Sequence, residues 1–421
     1  MTEGRTSYRA ALRHPVAGRL WAATAVSTLG DYVAQGALLL LAFERSGGLA
    51  IGAAALYAAS ALPALASGTL AGSWLDQIPR RVALTGLQVA GAGAVAVPLL
   101  VDGLAPVFVA AALLGALRAA TLAVRAGAMA EAVPDQHRGP VLALLGSTAN
   151  ASEVVGYVTG ASITIVVGAG PALMADLITF LVGAAIIAST RFPPPVPRDR
   201  RPPVLGGFRE ILANPVLRML APLVAVTAAV GTVPEVLAAV ATEDAVAWTP
   251  WVMAAGPAGN AIAFALLGRV DEVRRPSVQL VHFVSLALAL GVGALVGEPW
   301  MLVIVNLLVG AGLAWLLGPQ LLFIAQAPAE RMAQVTGAMI SLLILSEGVG
   351  SPLFAAIADR VSVAQAYNAA GFLVLAAALL GWFVMERTPA ARALDLPPGA
   401  LPTFDVWTAR SDPEPGGRHA S

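Results

Sequence analysis

Charged side chains are rare in this chain, and the ones that could do chemistry sit where a charge is hardest to keep. Asp31, Arg118, Glu153, Glu235 and Glu347 each lie inside a long, otherwise apolar run. A charge at the centre of a bilayer costs at least about 2.5–3.5 kcal/mol on insertion scales. It persists where it faces a bundle interior and finds a partner. Burial favours the protonated form of a carboxyl, whereas a nearby guanidinium favours the ionised form. A carboxylate that moves relative to an arginine therefore takes up and releases a proton according to state. The plainer alternative is a fixed ion pair that only orders helix packing. Counting from the ends of the runs places Asp31, Arg118, Glu153 and Glu347 near mid-depth. Glu235 lies nearer one end and follows Pro234, which loosens a helix locally. Trp315, Tyr32 and Tyr157 could stack on an apolar substrate or pack as core. Arg125 follows Arg118 by seven residues and shares its helix face; reaching toward the membrane surface is its simpler role. For Asp176 that role is capping, and for His282 packing.

The elements that position these groups are membrane spans. Of the 421 residues 58% are hydrophobic and 12% charged, about half the ~25% charged residues of a soluble domain. Formal net charge is zero, 25 basic against 25 acidic residues, which excludes a nucleic-acid binder. All the basic residues are Arg, and there is no Cys, hence no disulfide or thiolate chemistry. A helix crosses the hydrocarbon with about 20 apolar residues. Six uncharged runs qualify: 46–75, 82–101, 245–268, 276–297, 299–329 and 361–385. Six more qualify with one or two charges inside: 20–43, 105–130, 140–167, 170–190, 216–241 and 335–357. The expectation is an all-α polytopic membrane protein of twelve helices. Continuous rather than alternating apolar runs favour helices over a barrel.

On this count 1–19 is a leader and 20–190 a first six-helix half. Residues 191–215 form a Pro- and Arg-rich linker, 216–386 a second half, and 387–421 a disordered tail. The leader carries four Arg and no apolar run, so no cleavable signal is expected. With the N-terminus inside, 21 Arg fall on the inner side and two, Arg45 and Arg360, outside. This bias predicts that both termini are cytoplasmic.

The two halves repeat each other. Leu12-Arg-His-Pro15-Val16 recurs as Leu212-Ala-Asn-Pro215-Val216, and Ser152-Glu153-Val-Val-Gly156 as Ser346-Glu347-Gly-Val-Gly350. Looser matches join Asp76–Arg80 to Asp271–Arg275 and Pro134–Arg138 to Pro328–Arg331. Six spans per half is an even number, so both halves enter from the same side as parallel repeats. This suits a rocking, alternating-access carrier with its site between the halves.

The chain resembles the major facilitator superfamily over about residues 12–387, most specifically in the loop Gly72-Ser-Trp-Leu-Asp76-Gln-Ile-Pro-Arg80-Arg81. Within it the pattern is similar to the twelve-helix bacterial drug:proton antiporters, supported by Leu29-Gly30-Asp31 and Arg125. Span five lacks the Pro of the family's antiporter motif, reading Gly156-Tyr157-Val-Thr-Gly160. The resemblance implies a multidrug-type efflux antiporter of a bacterial cytoplasmic membrane. It places Asp31, Arg118 and Glu235 around a central cavity, with Glu153 and Glu347 at the junction of the halves. It assigns Gly72, Asp76, Arg80 and Arg81 to gating. The expected partners are a small amphipathic molecule, protons and the lipid bilayer, with no nucleic acid, and the chain acts as a monomer. No cofactor or metal is expected, and the proton gradient supplies the energy. Lys is absent, so there is no Walker loop, and no His-x-x-x-His pair occurs; an enzyme is not expected. Uptake or lipid translocation by the same fold, and a non-transporting membrane sensor, are the alternatives.

Overall fold

A computed structural model describes residues 8–67, 78–193, 206–267, 276–295, 297–314, 323, 326 and 332–387. The chain is an all-helical membrane protein. Spans one to six are Pro15–Arg45, Ala50–Ala66, Arg80–Leu100, Leu104–Ala132, Asp135–Val167 and Ala169–Ala188. Span seven is two helices end to end, Pro215–Gly231 and Val233–Ala241. Spans eight to twelve are Thr249–Leu267, Pro276–Gly293, Pro299–Leu313, Met332–Arg360 and Val363–Arg387. Among the described residues eight helices are long and apolar enough to cross a membrane, and three apolar helices are shorter.

Packing follows one rule applied twice. Span one lies against five and six, and span seven against eleven and twelve. Span two packs on four and three on six; eight packs on ten and nine on twelve. Adding six to every span number turns the first half's contacts into the second's. The halves themselves meet through span two against eleven and span five against eight, which the same rule exchanges.

The repeated sequence motifs account for this local geometry. Short helices, Tyr8–Arg13 and Gly206–Ala213, precede spans one and seven. Each span then starts with a Pro in its first turn, where the missing N–H costs nothing. His14 Nδ1 accepts from Ala17 N at 3.3 Å, and Asn214 Oδ1 accepts from Val216 N at 2.9 Å. Burial and the neighbouring His137 hold the His14 imidazole below its usual pKa. Gly156 and Gly350 end the Ser-Glu-x-Val-Gly repeat. A Cβ at Gly156 would strike Tyr32 of span one, and one at Gly350 would strike Ala229 of span seven. Each glycine seats its helix on a partner and leaves the Glu three residues earlier on the inward side.

Span seven breaks where sequence requires it. Pro234 has no N–H to give Val230, and the helix restarts at Val233 with Glu235 in its first turn. A carboxylate is favoured there by the helix dipole. At the face of the bundle away from the N-terminus, Asp359 of span eleven accepts from Ala50 N at 2.8 Å and Ile51 N at 2.9 Å. A carboxylate from one half thus caps a helix of the other.

Candidate functional site

A cavity of about 260 Å³ lies between the halves. The first half contributes Tyr32 and Gln35 from span one, Tyr57 from span two, Arg118 from span four, and Glu153 and Tyr157 from span five. The second half contributes Thr232 and Glu235 from span seven, Asn260 from span eight and Glu347 from span eleven. Three carboxylates therefore face one guanidinium among the described lining residues.

Glu235 is the centre of the hydrogen bonding. The Tyr57 and Tyr157 hydroxyls both donate to its Oε2, the second at 2.7 Å. Gln35 Nε2 donates to the Tyr57 hydroxyl at 3.1 Å. One carboxylate of the second half is thereby held by two spans of the first. Tyr57 lies seven residues inside span two, about 10 Å from its start at 1.5 Å per residue, so this knot stands between the mid-depth charges and the face capped by Asp359. Arg118 turns toward Tyr32: its Nη2 donates to the Tyr32 hydroxyl at 3.4 Å, and the guanidinium stands 5.7 Å from the ring centroid. The Tyr32 and Tyr157 rings meet edge to face at 5.8 Å. Glu153 lies within electrostatic reach of Glu235, Arg118 and Glu347. The Glu347 carboxylate has no hydrogen-bond or ion-pair partner among the described residues.

Of the residues singled out in the sequence, Tyr32, Arg118, Glu153, Tyr157, Glu235 and Glu347 come together here. Asp31, expected around the central cavity, is not among the residues that line this one. Successive helix residues point about 100° apart, so with Tyr32 on the cavity Asp31 turns into the first half. It lies within electrostatic reach of Arg118 and Arg125, yet no ion pair within 4 Å joins it to either among the described residues. Arg125 instead donates to Thr24 Oγ1 at 3.2 Å. Asp176 faces the same region and is fully buried rather than capping an exposed helix start. Thr179 Oγ1 donates to its Oδ1 at 3.1 Å, while its Oδ2 has no partner among the described residues.

Arg80 is 2% exposed. Its Nε and Nη2 reach Glu131 Oε2 and Oε1 at 2.9 and 2.6 Å, a bidentate pair tying span three to span four. Arg81 is exposed. Gly72, Asp76 and Trp315 lie outside the described residues. Among the lining residues that escaped the sequence reading, Gln35 and Tyr57 belong to the hydrogen-bonded network around Glu235. Gln35 could have been found: it shares a face with Tyr32 and occupies the repeat position of Glu235, since Pro15 matches Pro215. Tyr57 carries no such signal, being an uncharged residue in a run of alanines.

Residues 20–250 match the family model described as Major Facilitator Superfamily. A comparison with curated proteins gave no match. Among solved structures, the chain is similar to a bacterial homologue of the human lysosomal transporter Spinster in an inward-facing, unoccupied conformation. That likeness has a TM-score of 0.67 at 12% identity, over 90% of this chain and 98% of that one. It is similar to the nucleoside transporter NupG, with a TM-score of 0.70 at 10% identity over 88% and 99% of the chains. A POT family transporter in complex with 5-aminolevulinic acid gives 0.70 at 10% identity, over 88% and 96%. At these identities the likeness is one of fold.

Proposed function

The chain belongs to the Major Facilitator Superfamily, and on that premise we propose that it exports a small amphipathic molecule in exchange for protons by alternating access. The observation that carries this reading is the shared cavity: each half supplies ionisable groups to one mid-depth site, and Glu235 joins the halves through Tyr57 and Tyr157. Rocking that separates spans two and five from span seven removes both hydroxyls from Glu235 at once. Losing two donors disfavours the ionised carboxylate, so the proton affinity of this group follows the position of the halves. A single copy encloses the cavity, in keeping with a monomer. The Arg bias of 21 to 2 supports both termini lying on the inner side of the membrane.

The test is flux in proteoliposomes under an imposed pH gradient, using a panel of amphipathic molecules. Accumulation that follows the gradient and collapses with a protonophore is expected. Flux indifferent to the gradient would remove proton coupling, and no flux for any compound would favour a sensor. A reporter fused after Arg387 should be active only in the cytoplasm.

A further inference from the structure

Four histidines occur in the chain, and two of them, His14 and His137, meet at the face that carries the N-terminus. Their ring centroids lie 6.0 Å apart, with the planes tilted by 43°. His14 stands between the short helix Tyr8–Arg13 and span one, and its Nδ1 accepts the Ala17 N–H as the cap of that span. His137 lies in the first turn of span five. Its Nδ1 is enclosed and without a partner among the described residues. The short helix packs on both spans. Both spans go on to line the cavity, span one with Tyr32 and span five with Glu153 and Tyr157. The pair therefore sits at a joint of three helices, apart from the cavity itself.

The repeat shows what is unusual in this joint. Span seven is capped at the equivalent position by Asn214, whose Oδ1 accepts from Val216 N and Leu217 N. Asparagine is a favoured cap and does not titrate. A histidine accepts at Nδ1 only while its ring is neutral. Protonation then acts in three ways with one sign. It removes the acceptor from the Ala17 N–H. It sets a positive charge at a helix N-terminus, where the dipole opposes it. A second proton, on His137, sets two like charges on rings 6.0 Å apart. Burial and His137 already hold His14 below its ordinary pKa of 6.5. A lowered pKa means that the joint is stable above that value and weakens as pH falls below it. The other charged groups around the joint are Arg13, Arg19, Asp135 and Arg138, with the Arg80–Glu131 pair beyond them. Arg19 donates to Ser189 O, and Arg138 to Val133 O and Ala130 O. Among the described residues, His137 is the group whose charge acts on His14.

We propose that His14 and His137 form a proton-binding site that senses acid on the N-terminal side of the membrane and slows alternation of the halves when that side acidifies. In the topology that the Arg bias supports, this side is the inner one. A loosened joint lets spans one and five shift separately, so the cavity groups they carry no longer move as one. A carrier that admits protons is thereby slowed by the acid it brings in. The site goes beyond the transporter reading, and the binding of its proton can be tested without any transport.

Hydrogen exchange of the purified full-length protein reads the cap directly. After correction for the intrinsic rate, the Ala17 amide should exchange about fivefold faster at about pH 5.5 than at about pH 7.5, the weight of a lost cap. His14→Asn copies the cap of the second half and should exchange equally at both pH values. His14→Ala should exchange fast at both. His137→Gln should move the response to higher pH, because the charge that lowers His14 is gone. Thermal unfolding at neutral pH verifies that each variant is folded. In cells, a single cysteine near Ala50 reads opening at the opposite face. Acidifying the cytoplasm with benzoate at fixed outer pH should slow its labelling in the wild-type background and leave it unchanged with His14→Asn. Exchange at Ala17 that ignores pH, or an equal response in folded His14→Asn, overturns the proposal. A pH-dependent cap with unchanged labelling overturns its control of alternation. Labelling that follows outer pH instead overturns the inner placement of the sensor. Absence of flux for every compound sinks the transporter reading and leaves the titrating cap standing.

Discussion

The two halves share a fold and differ in what they bury. Inside the first half, Asp31, Arg125 and Asp176 gather among spans one, four and six, and Gln88 Nε2 donates to Ser27 Oγ at 3.3 Å beside them. Among the described residues the four side-chain polar atoms that are fully enclosed and without a partner all belong to this half: Thr85 Oγ1, Gln88 Oε1, His137 Nδ1 and Asp176 Oδ2; Glu347 differs in opening onto the cavity. The second half answers with neutral groups that satisfy one another. Tyr367 donates to Asn306 Oδ1 at 2.9 Å, and Asn306 donates to Val252 O at 3.3 Å. The Thr232 and Ser351 hydroxyls pair at 2.7 Å, and those of Thr242 and Thr249 at 2.6 Å. Fully satisfied networks rigidify a core, whereas unsatisfied ones store a cost that a change of charge or position can relieve. The second half is thus built as a stiff frame that offers Glu235 and Glu347 to the cavity, and the first as the half whose interior responds to charge.

Substitutions that exchange charge for neutrality break this contrast if it is wrong. The largest effect is expected from Arg118→Ala, which leaves the cavity carboxylates without their cation. Transport in proteoliposomes should fall about 100-fold, in line with the cost of stripping a buried acid of its partner, and the protein should unfold at lower temperature. Near-normal flux would mean that the first half's charges are structural. Next comes Asp31→Asn, which fills the same volume but cannot carry a proton. Accumulation against a gradient should be lost while downhill exchange continues; if accumulation persists, the responsive carboxylate is another, with Glu235, held by Tyr57 and Tyr157, the first to test.

Asp359→Ala acts on the junction rather than on either interior. Losing a helix cap costs about 1 kcal/mol, enough to shift a balanced equilibrium several-fold toward separation at that face. The chain has no Cys, so single cysteines placed near Ala50 report the change as faster labelling. An unchanged rate would show that Asp359 does not hold the halves together. Tyr367→Phe sharpens the comparison from the other side. It removes one hydrogen bond of the frame, worth about 1 kcal/mol, and should lower the unfolding temperature slightly with flux unchanged. A transport defect as deep as that of Asp31→Asn would erase the distinction between the halves.

Much of the architecture could be read from the chain, because hydrocarbon imposes a length and a composition on anything that crosses it. Apolar run lengths located the spans, and the paired motifs at Pro15 and Pro215, and at Glu153 and Glu347, exposed the repeat that the packing obeys. Depth was legible too, since a rise of about 1.5 Å per residue turns sequence position into height. What a count along one helix cannot supply is azimuth relative to eleven others. Asp31 and Tyr32 have nearly the same height, yet only tertiary packing sends the tyrosine to the cavity and the aspartate toward Asp176. Tyr57 was invisible because an uncharged residue pays no insertion cost that would mark it. Its meeting with Glu235 joins residues 178 positions apart, and that meeting exists only once span two and span seven have docked.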